Sequence, residues 1–188
     1  FLERPSDLSV EPWIEGLEAP WSLTFLSEER ALVTERPGRV RLIDNGRLTE
    51  EPFLTLDVAP VGEGGLMGIE KHPEFPREPY IYVMYTHRRG MNLVNRVERF
   101  VLRNGGAESD RIIIEGLPGS RYHDGGRIAF GPDGMLYVTI GENFQAARAQ
   151  DLTILSGSIL RVAPDGSIPE DNPFEDSPIW SYGHRNPQ

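Results

Sequence analysis

His123 lies in a glycine-rich stretch, Tyr-His-Asp-Gly-Gly over residues 122–126. An imidazole there can serve as a general base, because it is largely neutral near pH 7 and can take a proton from a bound hydroxyl. The glycines let the backbone approach a ligand closely. Two other glycine-bearing loops carry polar side chains. Gly62–Gly65 (GEGG) brings Glu63, and Gly183–Gln188 (GHRNPQ) brings His184, Arg185, Asn186 and Gln188, while Asp124 follows His123 directly. A base, carboxylates, a planar cation and amides could together deprotonate a hydroxyl and hold an anionic or carbonyl-bearing ligand. They lie far apart in sequence, so only a fold that returns the chain repeatedly to one place could unite them.

The intervening segments have that repetitive character. Trp21, Leu23 and Phe25 alternate with Ser22 and Thr24, which predicts a half-buried strand with the apolar residues inward. Ala31–Glu35, Val40–Ile43 and Phe53–Leu56 complete a first set, punctuated by Pro37-Gly38 and the hairpin signal Asn45-Gly46. A second set reads Leu66–Glu70, Tyr80–Tyr85, Arg96–Leu102 and Arg111–Ile114. A third reads Arg127–Phe130, Leu136–Ile140 and Ser158–Val162, with Ile179–Tyr182 leading into the last loop. The sets begin near Ser22, Leu66 and Arg127, about 45–60 residues apart, and four short strands at that period are the pattern of propeller blades. A β-sandwich also has short strands and Gly/Pro turns, but it predicts no recurring unit. The fold class is therefore all-β, with Phe144–Leu155 the longest stretch where a helix is plausible. In a propeller the loop leading into each innermost strand opens on one mouth of the central channel, which would gather Glu63, His123, Asp124 and the Gly183–Gln188 side chains.

Composition narrows the partners. The 188 residues are 38% hydrophobic with a formal net charge of −10, which argues against nucleic acid and anionic membranes. Cysteine is absent, which excludes disulfide and thiol chemistry. No apolar run approaches the roughly 20 residues of a transmembrane helix. Residues 1–12 are polar with two prolines and are expected to lie across the surface; the start at Phe1 reads as a removed leader or a trimmed end.

Four motifs in order, GEGGLMGIEKHP, YHDGGRIAFGPDGMLYVTIGE, GSILRVAPDGSIPEDNPF and GHRNPQ, resemble the soluble sugar dehydrogenases that use pyrroloquinoline quinone (PQQ). The resemblance runs from about Pro20 to Gln188. It implies a six-bladed β-propeller that carries PQQ over the axial mouth with calcium, oxidises aldoses at the anomeric carbon to lactones, and passes electrons to an external acceptor. By the same resemblance His123 is the catalytic base, Glu142 its partner acid, and Glu63, Arg185 and Asn186 contact the cofactor. Tyr122 stands where the glucose enzymes have an aspartate and is counted with the cofactor contacts. Tyr122 and Glu63 together favour the aldose sugar dehydrogenase branch. The family has six blades and this sequence supplies three and the start of a fourth, so the chain is expected to be one N-terminal half-propeller domain, with the calcium ligands beyond Gln188. A monomer in the periplasm or outside the cell is expected on the same basis.

The residue types suit that chemistry. A base within hydrogen-bond reach takes the hydroxyl proton, a carboxylate such as Glu142 can fix its tautomer, and the hydride needs a cofactor because no side chain accepts one. His72 and His184 read as structural and His87 as solvent-exposed. Asp133-Gly134 and Asp165-Gly166 read as turns, and PEDNPFEDSP as a surface loop. Two other functions compete: a calcium-dependent propeller lactonase, and a non-catalytic binding module of the same shape, as in hedgehog-interacting proteins.

Overall fold

A computed structural model describes residues 9–188. Residues 1–8, part of the stretch expected on the surface, lie outside the described residues; residues 9–12 are exposed. The chain forms three antiparallel sheets in sequence order. The first contains β1 (Pro20–Phe25), β2 (Arg30–Glu35) and β3 (Arg39–Asp44), with two short segments, β4 (Arg47–Leu48) and β5 (Leu54–Thr55), both paired to β3. The expected fourth strand at Phe53–Leu56 is shortened to Leu54–Thr55, and Arg47–Leu48 is a further segment that was not expected. The second sheet is β6 (Leu66–Lys71), β7 (Tyr80–Arg89), β8 (Asn92–Arg103) and β9 (Gly106–Pro118). The third is β10 (Gly125–Phe130), β11 (Leu136–Ile140), β12 (Ser158–Val162) and β13 (Ile179–Tyr182). The second and third sheets are simple four-stranded meanders, and the first follows the same order with β4 and β5 both along the outer edge of β3, which is the organisation of a propeller blade. Asn45 and Gly46 turn the β3–β4 hairpin with φ of 50° and 71°, the left-handed pair that a twisted two-residue hairpin requires.

The sheets stack face to face. Leu32 and Val40 of the first blade pack with Leu66, Ile69, Ile81, Val83, Tyr85 and Phe100 of the second. The opposite face of the second blade, with Met67, Tyr82, Met84 and Val97, packs on Ile128, Leu136, Val138, Leu160 and Ile179 of the third. A strand covered on both sides needs apolar residues on both, so Ile81–Thr86 is buried without alternation. The innermost strands β1, β6 and β10 lie side by side, which brings the loops before β6 and β10 to one edge.

Two local expectations, on β1 and on His87, are corrected, and one, on Phe144–Leu155, is narrowed. In β1 the polar residues are the buried ones: Ser22 and Thr24 are 7% and 5% exposed, Leu23 and Phe25 42% and 49%. Ser22 Oγ accepts from Arg127 at 3.0 Å, and Thr24 Oγ1 donates to Glu70 at 3.1 Å. Hydrogen bonding between innermost strands outweighs the apolar pattern, and Phe25 instead stacks on Trp13. In the Phe144–Leu155 stretch only a 3-10 turn forms, Ala146–Gln150, because Asn143 and Phe144 are left-handed, with φ of 59° and 60°. His87 is half-buried, its Nε2 lying 3.3 Å from Glu115 Oε1, because β7 extends past Tyr85 and pairs His87 with Val94.

Candidate functional site

The loops before β6 and β10 and the segment after β13 meet and are tied by side chains. Glu63 Oε2 accepts from the His123 backbone N–H at 2.8 Å and from Asn186 Nδ2 at 3.1 Å. Asn186 Oδ1 accepts from Gly125 N–H at 3.0 Å and from Gln188 Nε2 at 3.0 Å. Arg36, at the end of β2, donates to the carbonyls of Gly62 and Gly64 and holds the first loop from the blade before it. The sequence motifs did not mark Arg36; only the fold places it beneath GEGG.

His123 and Glu142 form the centre of this cluster. Glu142 follows β11, and its backbone N–H donates to Arg185 O at 2.9 Å. His123 Nδ1 is hydrogen-bonded to Glu142 Oε1, with the residues 6% and 3% exposed. A carboxylate only accepts, so Nδ1 carries the proton and Nε2 is left as the basic nitrogen. Glu142 Oε2 is buried with no partner among the described residues. His123 is itself left-handed, φ 57°, an uncommon state for a residue with a Cβ. Its carbonyl accepts from Asn143 N–H at 3.3 Å, and Asn143 Oδ1 accepts from Ser156 Oγ at 3.0 Å. Gly141 is forced: a Cβ there would lie 1.8 Å from His123 O. Asn143 and Ser156 carry no sequence motif, so their role is legible only from the contacts.

The other expected residues divide in two. Arg185 is exposed, and its guanidinium has no hydrogen-bond or ion-pair partner among the described residues. Tyr122 is 46% exposed and flanks His123. Glu63 and Asn186 reach the cluster, with Glu63 Oε2 and both ends of the Asn186 amide bonded to neighbouring loops. Asp124 was expected at the mouth, and this is corrected: it is fully buried between the second and third blades. Its Oδ1 accepts from Ser120 N–H at 2.7 Å and Asn95 Nδ2 at 3.2 Å. Burial, aided by the nearby Glu63 carboxylate, pushes the Asp124 carboxyl up to about 6 against those hydrogen bonds. His184 bonds Ser181 Oγ at 2.8 Å, and His72 packs against Tyr80, Tyr82 and Phe130. Both contacts are structural. No group of three or more His, Asp or Glu among the described residues is arranged to hold a metal.

One aromatic at the site had no sequence signal. Phe144 is 67% exposed, its ring centroid 5.0 Å from His123 and 5.8 Å from Tyr122.

Comparison with known proteins gives a consistent assignment. A family model described as glucose/sorbosone dehydrogenase matches residues 17–188. The aldose sugar dehydrogenase YliI of Escherichia coli is 32% identical over 98% of this chain and 53% of its own length. The PQQ-bound structure of aldose sugar dehydrogenase from Streptomyces coelicolor superposes with a TM-score of 0.85 at 35% identity, covering 94% of this chain and 54% of that one. Mouse Hedgehog-interacting protein is 26% identical over 96% of this chain and 31% of its own length. The chain spans about half the length of the curated sugar dehydrogenase relatives it matches. No helix among the described residues is long and apolar enough to cross a membrane.

Proposed function

The chain belongs to the glucose/sorbosone dehydrogenase family, and from that premise we propose that it supplies the base side of a PQQ-dependent aldose dehydrogenase site within one propeller domain of which it is the N-terminal half. The observation that carries this reading is the buried His123–Glu142 pair, with Arg185 on the adjoining loop exposed and without an ion-pair partner among the described residues. A base oriented by a carboxylate is what deprotonation of an anomeric hydroxyl requires, and neither a binding module nor a metal-dependent lactonase needs it.

His123 Nε2 takes the hydroxyl proton as the C–H bond at the anomeric carbon breaks and the carbonyl of the lactone forms. Glu142 holds the imidazole in the tautomer that leaves Nε2 free and stabilises the imidazolium once it carries two protons. Burial of both residues excludes water from their hydrogen bond and keeps its direction fixed. When bound, PQQ supplies the two-electron, hydride-accepting chemistry that no side chain has. Its carboxylates fit the exposed guanidinium of Arg185, a planar donor suited to paired oxygens. Tyr122 offers a ring and a hydroxyl beside it, and Glu63 and Asn186 hold the loops that form the cofactor's seat. Calcium belongs to the proposal as the companion ion, held by residues outside this chain. An aldose substrate, an external electron acceptor, a monomeric state and a periplasmic or secreted setting complete the reading.

The test is aldose-dependent dye reduction by the full-length protein supplied with PQQ and calcium. His123→Ala is expected to lower turnover by about 10²-fold or more, and Glu142→Gln by less, since the imidazole remains. Near-wild-type rates in both variants at saturating PQQ would reject the assignment. Lactone hydrolysis without PQQ would favour the lactonase instead.

A further inference from the structure

Phe144 occupies a position that folding alone does not account for. Its ring is 67% exposed, so it adds little to the core, and its backbone is left-handed at φ 60°, a state that bulky L-residues rarely adopt. The conformation is imposed from below. Asn143, also left-handed and 7% exposed, is held by Ser156 Oγ and by the His123 carbonyl. Phe144 is therefore presented outward from an anchored turn, and its ring lies 5.0 Å from the imidazole at 53° and 5.8 Å from the ring of Tyr122. Two exposed aromatics flank one histidine that is otherwise buried.

We propose that Phe144, with Tyr122 beside it, is the wall on which the apolar face of a pyranose rests while its anomeric hydroxyl is offered to His123. This rests on the aldose-oxidation reading above and specifies its substrate as a sugar ring. A pyranose carries hydroxyls around its rim and C–H bonds on its faces. A face needs an apolar plane, which an aromatic ring supplies with few rotatable bonds to immobilise, and burying that plane rewards binding only when the sugar is present. The neighbouring polar groups have other partners or another proposed ligand: Glu63 Oε2 and Asn186 are tied to the loops and Asp124 to the space between blades, and Arg185 is assigned above to the cofactor. The aromatic pair is what remains to fix the ring's orientation. Phe144 is a positioning residue, and its effect belongs in sugar binding and not in the proton-transfer step.

The experiment uses the full-length protein loaded with PQQ and calcium, with Phe144 changed to Ala, Leu or Trp. Because the ring is exposed, the variants are expected to melt within a few degrees of wild type. Phe144→Ala should raise KM for D-glucose about tenfold or more while kcat changes much less, with PQQ affinity unaltered. Phe144→Trp should keep most of the affinity; Phe144→Leu, apolar but without a flat ring, should not. A second readout needs no turnover: saturation-transfer NMR with methyl β-D-glucoside, which has no free anomeric hydroxyl. The C–H protons of one sugar face should be saturated in wild type and not in Phe144→Ala. An unchanged KM, or a loss of PQQ affinity in place of sugar affinity, overturns the wall. Glucoside binding that depends on Phe144, in a protein that oxidises no aldose, would uphold the wall and overturn the reaction. Absence of both would overturn both.

Discussion

Among single residues, Arg185 bears the clearest unused capacity. Most arginines near the site are committed: Arg36 to loop carbonyls, Arg127 to Ser22 with its guanidinium 4.3 Å from the Trp21 ring. Arg185 has no partner among the described residues, so its charge is available to an anionic ligand. A charge-assisted hydrogen bond of that kind contributes roughly 1.5–3 kcal/mol, or one to two decades in dissociation constant. Arg185→Ala should weaken PQQ binding by that amount in a titration of full-length apoprotein at fixed calcium. Arg185→Lys, which keeps the charge and loses the fork, should recover part of it. Equal affinity in wild type and Arg185→Ala would remove this residue from the cofactor's seat.

At the scale of elements, the site depends on the turn that follows β11. Register places Ile140 opposite Gly125, so the residues after β11 emerge beside the loop that carries His123. Gly141 passes under the His123 carbonyl with no room for a methyl group. Gly141→Ala must push either Glu142 or His123 aside by more than an ångström, which breaks the base–carboxylate pair. Turnover should fall by at least about 10²-fold, since a displacement of that size is enough to undo a productive geometry. A lower melting temperature should accompany it. Crystals of the variant with His123 and Glu142 undisturbed would contradict the argument. The same turn explains why helix formers in AARAQ yield only a 3-10 turn: Asn143 is recruited to His123 and cannot begin a helix.

At the scale of the whole molecule, blade packing sets the ionisation of Asp124. The carboxyl lies under Gly64, with Asn95 of the second blade and Ser120 of the connection between blades around it. A Cβ on Gly64 would meet Thr86 Oγ1 at 2.6 Å and Asp124 Oδ2 at 2.7 Å, so the blades close tightly over it. Burial raises Asp124 from 3.8 to about 6, so between those values the folded state holds more protons than the unfolded chain. Stability contributed here falls as pH rises through that window, and above it the ionised form costs on the order of 3 kcal/mol. Asp124→Asn keeps an acceptor for Ser120 and removes the charge. Its gain in melting temperature over wild type should be larger at pH 7.5 than at pH 4. A gain independent of pH, or none at pH 7.5, would show that the buried carboxyl carries no such cost.

The repeat of turns and short apolar runs was enough to place the blade strands apart from the short β4, and to separate a propeller from a sandwich, because strand formation and hairpin turns depend on residues near one another. The mouth loops were legible for the same reason: glycines and charged residues interrupt each repeat at the same point. Which face of a strand is buried was not legible. Ser22 and Thr24 lie inward because partners 46 and 105 residues away bond to them, and Tyr80–Tyr85 needed a neighbour on both sides. His123, Glu63 and Arg185 were marked by local sequence. The inward turn of Asp124, the bracing by Arg36, Asn143 and Ser156, and the outward ring of Phe144 depend on segments that meet only after the sheets stack. Local periodicity encodes the strands; the ionisation, orientation and exposure of a side chain follow from what the rest of the chain brings against it.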